Sequence, residues 1–441
     1  MIVSGLIDQY VNEWLQEHRK RSALEFKRIE LNHSKEWSIA GDGRIRHKTG
    51  GFFSIIGVKS SKNDFELFQP LINQPEIGIL GFLIRPAGDS WEILCQAKTE
   101  PGNILESQIA PTFQATKSNY NQIHGGKPQA YASLFLDKQR SFIADQLQSE
   151  QGFRFWRKRN RNCVTILEDD EKIQAIDSHL WISLDWILLH LDNDYLFNTD
   201  FRSVIVQLFL GYFFTDKHRD QTLFNLGWHL NWDSSNLEFE EVYAWVIKQR
   251  ELSKIKNEPC SLLDMTGWLF TESGIESKER PFGIKYYDIY CRCREVFHWD
   301  QPLMTSLENS INRLVICVES RRLYLLLQFR MEPGAYDVGE LSCTTHSMDS
   351  IEAPFFPRQL SWQLAESSQL LKTVATSDEG GRFFQDKTVN EIYLSETCFN
   401  PENKNYTWVS IEALCGLIHK NNVITNELRT IISILLGCQI G

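Results

Sequence analysis

The residues with the greatest capacity for chemistry lie in one block, QAKTEPGNILESQIAPTFQATKSNYNQIHG, at 96–125. The block begins like a β-strand, turns at Pro101-Gly102 and is then almost wholly polar. Its candidates for proton transfer are Lys98, Glu100, Tyr120 and His124. Its candidates for holding a polar ligand are Gln96, Asn103, Gln108, Thr112, Gln114 and Asn119. Such a mixture is suited to acid–base chemistry or to the binding of a polar ligand.

The strand WEILCQAK, which leads into this block, alternates between apolar and polar residues. Its apolar face is predicted to pack on the core, so Gln96 and Lys98 lie on the opposite face, which Glu100 continues. For a single strand, a solvated sheet face is the simpler interpretation. The long polar run with little charge, together with a second copy of the motif further along the chain, favours a pocket.

A second candidate is the basic segment RFWRKRNRN at 154–162, which is unusual in an acidic protein. The side chains proposed to bind a phosphate or diphosphate are Arg157, Lys158, Arg159 and Asn160. The alternative is a solvated edge strand protected by its charge. The corresponding segment of the second copy, RFFQDKTVN, has far fewer positive charges, which favours a function in the first half.

The sequence elements that must position these residues occur twice in the chain. Landmarks recur in the same order at an offset of about 230 residues, and the pairs are Trp14 and Trp245, Trp37 and Trp268, Gln96 and Gln328, Glu100-Pro101-Gly102 and Glu332-Pro333-Gly334, and Arg202 and Arg429. We therefore predict a tandem duplication with repeats at 1–215 and 236–441, joined by a linker at 216–235. Each repeat is predicted to be α+β, with a mixed sheet flanked by helices.

Composition excludes several classes of protein. A formal net charge of −11 argues against nucleic-acid and membrane-surface binding, and the longest apolar run, 204–214, is too short to span a bilayer. The first residues do not resemble a signal peptide, and the ten scattered cysteines suit reduced thiols in a cytoplasmic protein. No metal-binding motif, dinucleotide fingerprint or P-loop is present, so we predict neither a metal nor a cofactor.

The motifs QAKTEPGN, QIAPTFQATKSNY and HGG, followed by RFWRKRNRN and by WDQPL and QFRMEPG in the second copy, resemble those of the NDP-hexose 2,3-dehydratases. The resemblance covers nearly the whole chain. It implies two tandem Nudix-like repeats, no metal or organic cofactor, a homodimer, and two nucleotide-sugar clefts per chain. The metal-binding glutamates of the Nudix hydrolase signature are absent from the sequence, so diphosphate hydrolysis is not expected.

The reaction that this resemblance implies is 2,3-dehydration of a 4-keto-6-deoxy nucleotide sugar in deoxysugar biosynthesis. A base removes the C3 proton, an enolate forms at the C4 oxygen and the C2 hydroxyl leaves, which yields a 3,4-diketo-2,6-dideoxy sugar. Glu100 and His124 are candidates for the base, and Tyr120 and Lys98 for the donor to the leaving hydroxyl or the enolate.

 The nucleotide that the resemblance implies for this substrate is dTDP. The amide and hydroxyl side chains of the block would hold the sugar, and the basic segment would hold the diphosphate.

Two alternatives remain open on the sequence. The chain could be a non-catalytic Nudix-like protein that binds nucleotide sugars, or a related lyase or isomerase that acts on another keto sugar. The second copy departs from the first, because Ser342-Cys343-Thr344-Thr345-His346 replaces Ala110-Pro111-Thr112-Phe113-Gln114. We therefore predict that catalysis belongs to the first repeat, and that the second is vestigial or a secondary ligand site.

Overall fold

A computed structural model describes residues 2–121, 128–168, 171–215, 219–232, 237–277, 279–280, 282–346 and 368–440. The fold is α+β and consists of two sheet-rich halves whose described strands follow the same order, as the landmarks predicted. Among these described residues, no helix is long and apolar enough to cross a membrane.

The first half contains five α-helices and twelve strands in its described part, together with a 3-10 turn at Leu31–His33 and a π-helical turn at Phe209–Phe213. The helices are α1 (Ile2–Ser22), α2 (Lys117–Tyr120), α3 (Ala132–Leu136), α4 (Leu184–His190) and α5 (Thr199–Leu208). The strands are β1 (Glu25–Ile29), β2 (Trp37–Ile39), β3 (Ile45–His47), β4 (Ser54–Lys62), β5 (Phe65–Asn73), β6 (Gly78–Ala87), β7 (Ser90–Thr99), β8 (Ser107–Ala110), β9 (Phe113–Ala115), β10 (Ala144–Ser149), β11 (Arg159–Ile166) and β12 (His179–Ser183).

The second half repeats this plan after α6 (Arg219–Asn225), which lies within the predicted linker. Its helices are α7 (Leu237–Ser253), α8 (Ile411–Leu417) and α9 (Asn426–Leu436). Its strands are β13 (Lys256–Cys260), β14 (Leu269–Thr271), β15 (Gly274–Glu276), β16 (Phe282–Tyr290), β17 (His298–Ser306), β18 (Ser310–Glu319), β19 (Arg322–Met331), β20 (Gly339–Ser342), β21 (Thr345–His346), β22 (Gln369–Ser377), β23 (Lys387–Ser395) and β24 (Tyr406–Ser410).

Each half has a seven-stranded mixed sheet, and the strand order is the same in both. It runs β10-β11-β6-β7-β12 in the first half and β22-β23-β18-β19-β24 in the second. In each sheet one pair is parallel, β6 with β11 and β18 with β23, and two short strands extend the central hairpin. The alternation predicted for β7 is confirmed, because Ile93, Cys95 and Ala97 lie in the main core.

The two smaller sheets are built by a reciprocal exchange of strands. Strand β1 leaves its own half and pairs with β16, and β13 of the second half pairs with β4 of the first. Neither five-stranded sheet is therefore made by one repeat alone. The exchange fixes the two halves against each other at a place that the sequence motifs do not mark.

Helix α5 of the first half packs against helix α9 of the second, and each helix carries a buried arginine at this boundary. Arg202 donates from Nη1 to Ser433 Oγ at 3.0 Å, and Arg429 donates from Nε to Ser203 Oγ at 2.8 Å. Both guanidinium groups are fully buried. The recurrence of Arg202 and Arg429 in the sequence therefore reflects a structural role at this boundary.

Candidate functional site

The repeated Glu-Pro-Gly turn is the place where each half docks on the other. The backbone N–H of Gly102 donates to the carbonyl oxygen of Gly380 at 2.8 Å, and Gln385 N–H donates to the Gly102 oxygen at 2.7 Å. The equivalent turn makes the same pair of bonds, from Gly334 to Gly152 and from Arg157 to Gly334, each at 2.7 Å. The docking carries Glu100 towards the second half.

Glu100 is buried and faces a carboxylate from the other half. Its Oε1 accepts a hydrogen bond from Gln114 Nε2 at 3.4 Å. A Cβ atom placed on Gly381 would lie 3.4 Å from Glu100 Oε1 and 3.7 Å from Glu379 Oε1. Glu100 and Glu379 therefore flank the same glycine, and that glycine leaves space between the two halves.

Lys98 and Gln114 complete the first-half side of this site. The buried Lys98 donates from Nζ to the Gln114 carbonyl oxygen at 3.0 Å. Burial lowers the pKa of Lys98, whereas the nearby Glu100 opposes that shift. Gln114 is oriented in turn by Asn198 Nδ2, which donates to its Oε1 at 2.9 Å and caps α5.

Several acidic groups beside Glu100 were not predicted from the sequence. Burial raises the pKa of Asp200 well above its usual range, and the carboxylates of Glu379, Glu150 and Glu100 raise it further. Burial likewise raises the pKa of Glu379 to about 7, although Arg382 opposes this. The signal available for Asp200 was its place two residues before Arg202, matched by an acidic residue at the same distance before Arg429.

A cleft of about 340 Å³ opens beside this buried cluster, and both halves line it. The predicted residues in its wall are Gln96, Thr112 and Gln114. The second half contributes the loop between β16 and β17, from which Arg292, Arg294, Glu295 and Phe297 reach the cleft. Sequence reasoning missed this loop because it belongs to the other repeat.

The cleft loop carries the charged pair Arg294 and Glu295, and a hydrogen bond joins Glu295 to Gln129 of the first half. Burial tends to raise the pKa of Glu295, but Arg294, Lys98 and a hydrogen bond from Gln129 lower it to about 2. Gln129 Nε2 donates to Glu295 Oε1 at 2.9 Å. Glu295 is therefore ionised at neutral pH and balances the cations around it.

His179 also lines the cleft and was not among the predicted residues. Its Nε2 lies 2.9 Å from the Thr112 carbonyl oxygen, so Nε2 carries the proton that is donated. Burial lowers the pKa of His179 to about 4. The ring is consequently neutral at physiological pH.

Thr112 has a structural bond network that recurs in the second half. Its hydroxyl accepts from Leu83 N–H at 2.9 Å and donates to the Leu94 carbonyl oxygen at 2.5 Å. Thr344 makes the equivalent bonds to Val315 N–H and the Leu326 oxygen. The hydroxyl of Thr112 joins two strands, which accounts for its recurrence.

The other predicted amides lie close to the docking turn or the sheet edge. Gln108 Nε2 donates to the backbone carbonyl oxygen of Tyr195 at 2.6 Å, and Asn103 Nδ2 donates to that of Glu106 at 3.0 Å. Both side chains are buried. Gln96 is the predicted amide that is both partly buried and on the cleft wall.

Helix α2 holds Asn119 and Tyr120, both partly buried, on another face of the sheet. Tyr120 packs in a cluster that includes Phe113 and Phe135. Burial raises its pKa, followed by the charge of Glu76. His124 lies outside the described residues.

The basic segment does not form one donor surface, because its side chains alternate between two faces. Lys158 and Asn160 point inward, where Lys158 Nζ donates to the backbone carbonyl oxygen of Glu76 at 2.5 Å and Asn160 Nδ2 donates to Glu150 Oε1 at 2.7 Å. The guanidinium of Arg159 instead stacks on Tyr336 at 3.8 Å, and Arg157 stacks on the ring of Trp156 at 4.7 Å. The structure thus brings Lys158 and Asn160, but not Arg157 and Arg159, towards the buried acidic cluster.

The second half keeps the cation and the carboxylate of this site as Arg330 and Glu332 and adds a further carboxyl group, Glu340. Arg330 Nε and Glu332 Oε1 form a buried ion pair at 3.1 Å. Glu340 stands where the first half has Gln108, and Ser149 Oγ donates to it at 2.5 Å. Burial raises the pKa of Glu340 to about 7.

Glu340→Gln should make stability less dependent on pH. Because the pKa of Glu340 is raised from 4.5 to about 7 in the folded protein, folding binds a proton in that window and stability falls as pH rises through it. The loss between pH 4.5 and pH 8 is at most about 3 kcal/mol. Thermal melts should show a smaller decline for Glu340→Gln than for the parent. The exposed Glu308→Gln is the control, and equal declines in all three proteins would contradict the prediction.

Comparison with known sequences decides the family. The profile described as NDP-hexose 2,3-dehydratase matches residues 8–208 and 239–435, which is most of both halves. The chain belongs to the NDP-hexose 2,3-dehydratase family. It is therefore a carbon–oxygen lyase for a nucleotide-linked hexose. The site described above lies within the two matched segments.

Three relatives of this dehydratase carry the name dTDP-4-dehydro-6-deoxy-alpha-D-glucopyranose 2,3-dehydratase. The protein from Amycolatopsis orientalis is 28% identical over 440 residues, which cover 96% of this chain and 89% of the relative. The protein from Saccharopolyspora spinosa is 27% identical over 444 residues, with coverage of 96% and 90%. The protein from Streptomyces violaceoruber is 28% identical over 435 residues, which cover 95% of each chain.

Proposed function

We propose that this dehydratase converts a dTDP-linked 4-keto-6-deoxyhexose to the 3,4-diketo-2,6-dideoxy sugar, at the boundary between its two halves. The observation that carries the proposal is the buried group of Lys98, Glu100 and Gln114 next to a cleft. A base, a cation and an amide at one place are what an elimination next to a ketone requires. The names of the three relatives support the choice of substrate.

The chemistry follows from the acidity of the C3 hydrogen next to the C4 ketone. Glu100 takes the C3 proton, with His124 as the alternative base, and the negative charge moves to the C4 oxygen. Lys98 lies near Glu100 and offers a positive charge to that oxygen. Expulsion of the C2 hydroxyl then restores the C4 ketone and leaves an enol between C2 and C3.

The cleft offers groups for the rest of the substrate. Gln96 and Gln114 can hold sugar hydroxyls, and Arg292 and Arg294 can pair with the diphosphate. Lys158 and Asn160 remain proposed ligands on the inner side, because they face the acidic cluster. In this arrangement the second half contributes to the site of the first half.

The direct test is to incubate the purified protein with dTDP-4-keto-6-deoxyglucose and identify the product by mass spectrometry. Loss of one water, followed by trapping of the adjacent ketones with a diamine, would support 2,3-dehydration. Binding without conversion would instead identify a nucleotide-sugar-binding protein. Conversion without loss of water would identify an isomerase.

We expect turnover to be independent of added metal. Among the described residues, no three His, Cys, Asp or Glu side chains are grouped to hold a metal ion. Dialysis against a chelator should therefore leave the rate within about twofold, because Lys98 and amide donors supply the charge stabilisation. Loss of activity on chelation that a divalent ion restores would contradict this expectation.

We propose that each half, a mixed sheet flanked by helices, is a Nudix-like repeat, with the division near 216–235, and that the enzyme is a cytoplasmic homodimer. The exposed apolar side chains of Leu6 and Tyr10 on α1 offer a surface for a second copy. Sedimentation at several concentrations tests the dimer. Calorimetric titration with dTDP tests whether the second half binds ligand.

A further inference from the structure

We infer that Glu379, a residue of the second half, donates the proton to the leaving C2 hydroxyl at the site of the first half. The inference rests on the proposed function and adds a residue to it. Its basis is the docking of the turn 379–385 against Pro101-Gly102, which places Glu379 Oε1 and Glu100 Oε1 beside the same glycine. One carboxyl group can thus act as the base while the other acts as the acid.

The surroundings of Glu379 keep a proton on it near neutral pH. Burial has the largest effect and raises its pKa to about 7, and the negative charges of Glu150 and Glu100 act in the same direction. The charged groups that face it come from four segments, and they are Arg382, Glu150, Glu100, Lys158 and Asp200. A carboxyl group that keeps its proton near neutral pH is suited to act as an acid in proton transfer.

The proton balance of the reaction closes with Glu379 as the acid. Glu100 takes the proton from C3, and the C2–O bond breaks as Glu379 protonates the departing hydroxyl to give water. The proton on Glu100 is then delivered to C2 as the enol becomes a ketone. The proton released from the C3 hydroxyl restores Glu379. No oxidant or other reactant is consumed.

The first half itself shows that the turn folds without a carboxyl group at this position. Gln151 occupies the position equivalent to Glu379, and its carbonyl oxygen accepts hydrogen bonds from the N–H groups of Arg154 and Phe155. The backbone carbonyl oxygen of Glu379 accepts the same bonds from the N–H groups of Arg382 and Phe383. Glu379→Gln should therefore fold like the parent, and its effects on rate can be assigned to the lost proton.

The experiment compares Glu379→Gln with the parent on two substrates. With the natural C2 hydroxyl, kcat should fall by roughly 10²- to 10⁴-fold, with KM within a few-fold. In the parent, kcat should decline as pH rises above about 7, and this decline should be absent from the variant. A substrate with fluorine in place of the C2 hydroxyl needs no proton for departure, so the variant should process it nearly as fast as the parent.

The outcomes separate the inference from the proposed function. If the parent releases no water from the natural substrate, the proposed function fails. If the parent is active and Glu379→Gln keeps its kcat within threefold, the inference is wrong. A variant that is equally impaired on the hydroxyl and fluoro substrates would show a positioning role and would also overturn it. Glu100→Gln is the matched control, because loss of the base should impair both substrates.

Discussion

Glu100→Gln should lower turnover of the 4-keto-6-deoxy nucleotide sugar by roughly 10²- to 10⁴-fold, the usual effect of removing a general base. Glu100 lies beside Lys98 and Gln114 at the wall between the cleft and the docking turn. The amide has nearly the same shape but cannot accept the C3 proton. The measurement is kcat of the purified variant, with a thermal melt to verify that it is folded. His124→Ala should have a similar effect if His124 is the base instead.

The matched control is Glu332→Gln in the second half, which should leave turnover within a few-fold of the parent. Glu332 occupies the equivalent position but is paired with Arg330 at 3.1 Å, and both side chains are buried. Its replacement weakens a buried ion pair, so the expected cost is stability, on the order of 3 kcal/mol. An inactive Glu332→Gln together with an active Glu100→Gln would show that catalysis had been assigned to the wrong half.

Gly102→Ala should destabilise the protein by more than the roughly 1–3 kcal/mol that is typical of an overpacked core. A Cβ atom on Gly102 would lie 1.5 Å from the backbone oxygen of Phe383, and backbone cannot move aside as a side chain can. The two hydrogen bonds between Gly102 and the turn 379–385 would be lost with the contact. Urea denaturation of the variant measures the effect.

Gly334→Ala should be about equally harmful, because its Cβ atom would lie 1.8 Å from the Phe155 oxygen in the equivalent docking contact. Gly41→Ala is the control, since no atom lies within 4 Å of the position of its Cβ. If Gly102→Ala and Gly334→Ala unfold at the same urea concentration as Gly41→Ala, the turns do not hold the halves together. A difference between the two docking variants would show that the contacts are unequal in strength.

The duplication and the α+β class could be predicted because the landmarks occur in the same order in both copies. The exchange of β1 and β13 could not. Their sequences, EFKRI and KNEPC, show no preference for the sheet of either half, because the two halves offer equivalent partner strands. Only the path of the chain in space decides between them. The same applies to the loop around Arg294, which lines a cleft of the other repeat.

Within the site, local patterns predicted the strand face of Gln96 and Lys98, since alternation depends only on neighbouring residues. They did not predict the division of the basic segment, where the same alternation separates Lys158 from Arg159. They also missed Glu379, because its turn reaches Glu100 only through docking of the halves. Residues brought together by contacts between repeats leave no local pattern.

The exchange of strands also determines when this protein can finish folding during synthesis. Part of the edge of β4 is covered by β13, and β13 is translated only after the chain has grown from Lys62 to Lys256. At about 5–20 residues per second, the ribosome needs roughly 10–40 seconds for that distance. Throughout this interval the nascent first half presents unpaired backbone groups that can join another chain. Because the edge of β4 is paired late, the partly translated enzyme is more prone to aggregation than the complete one.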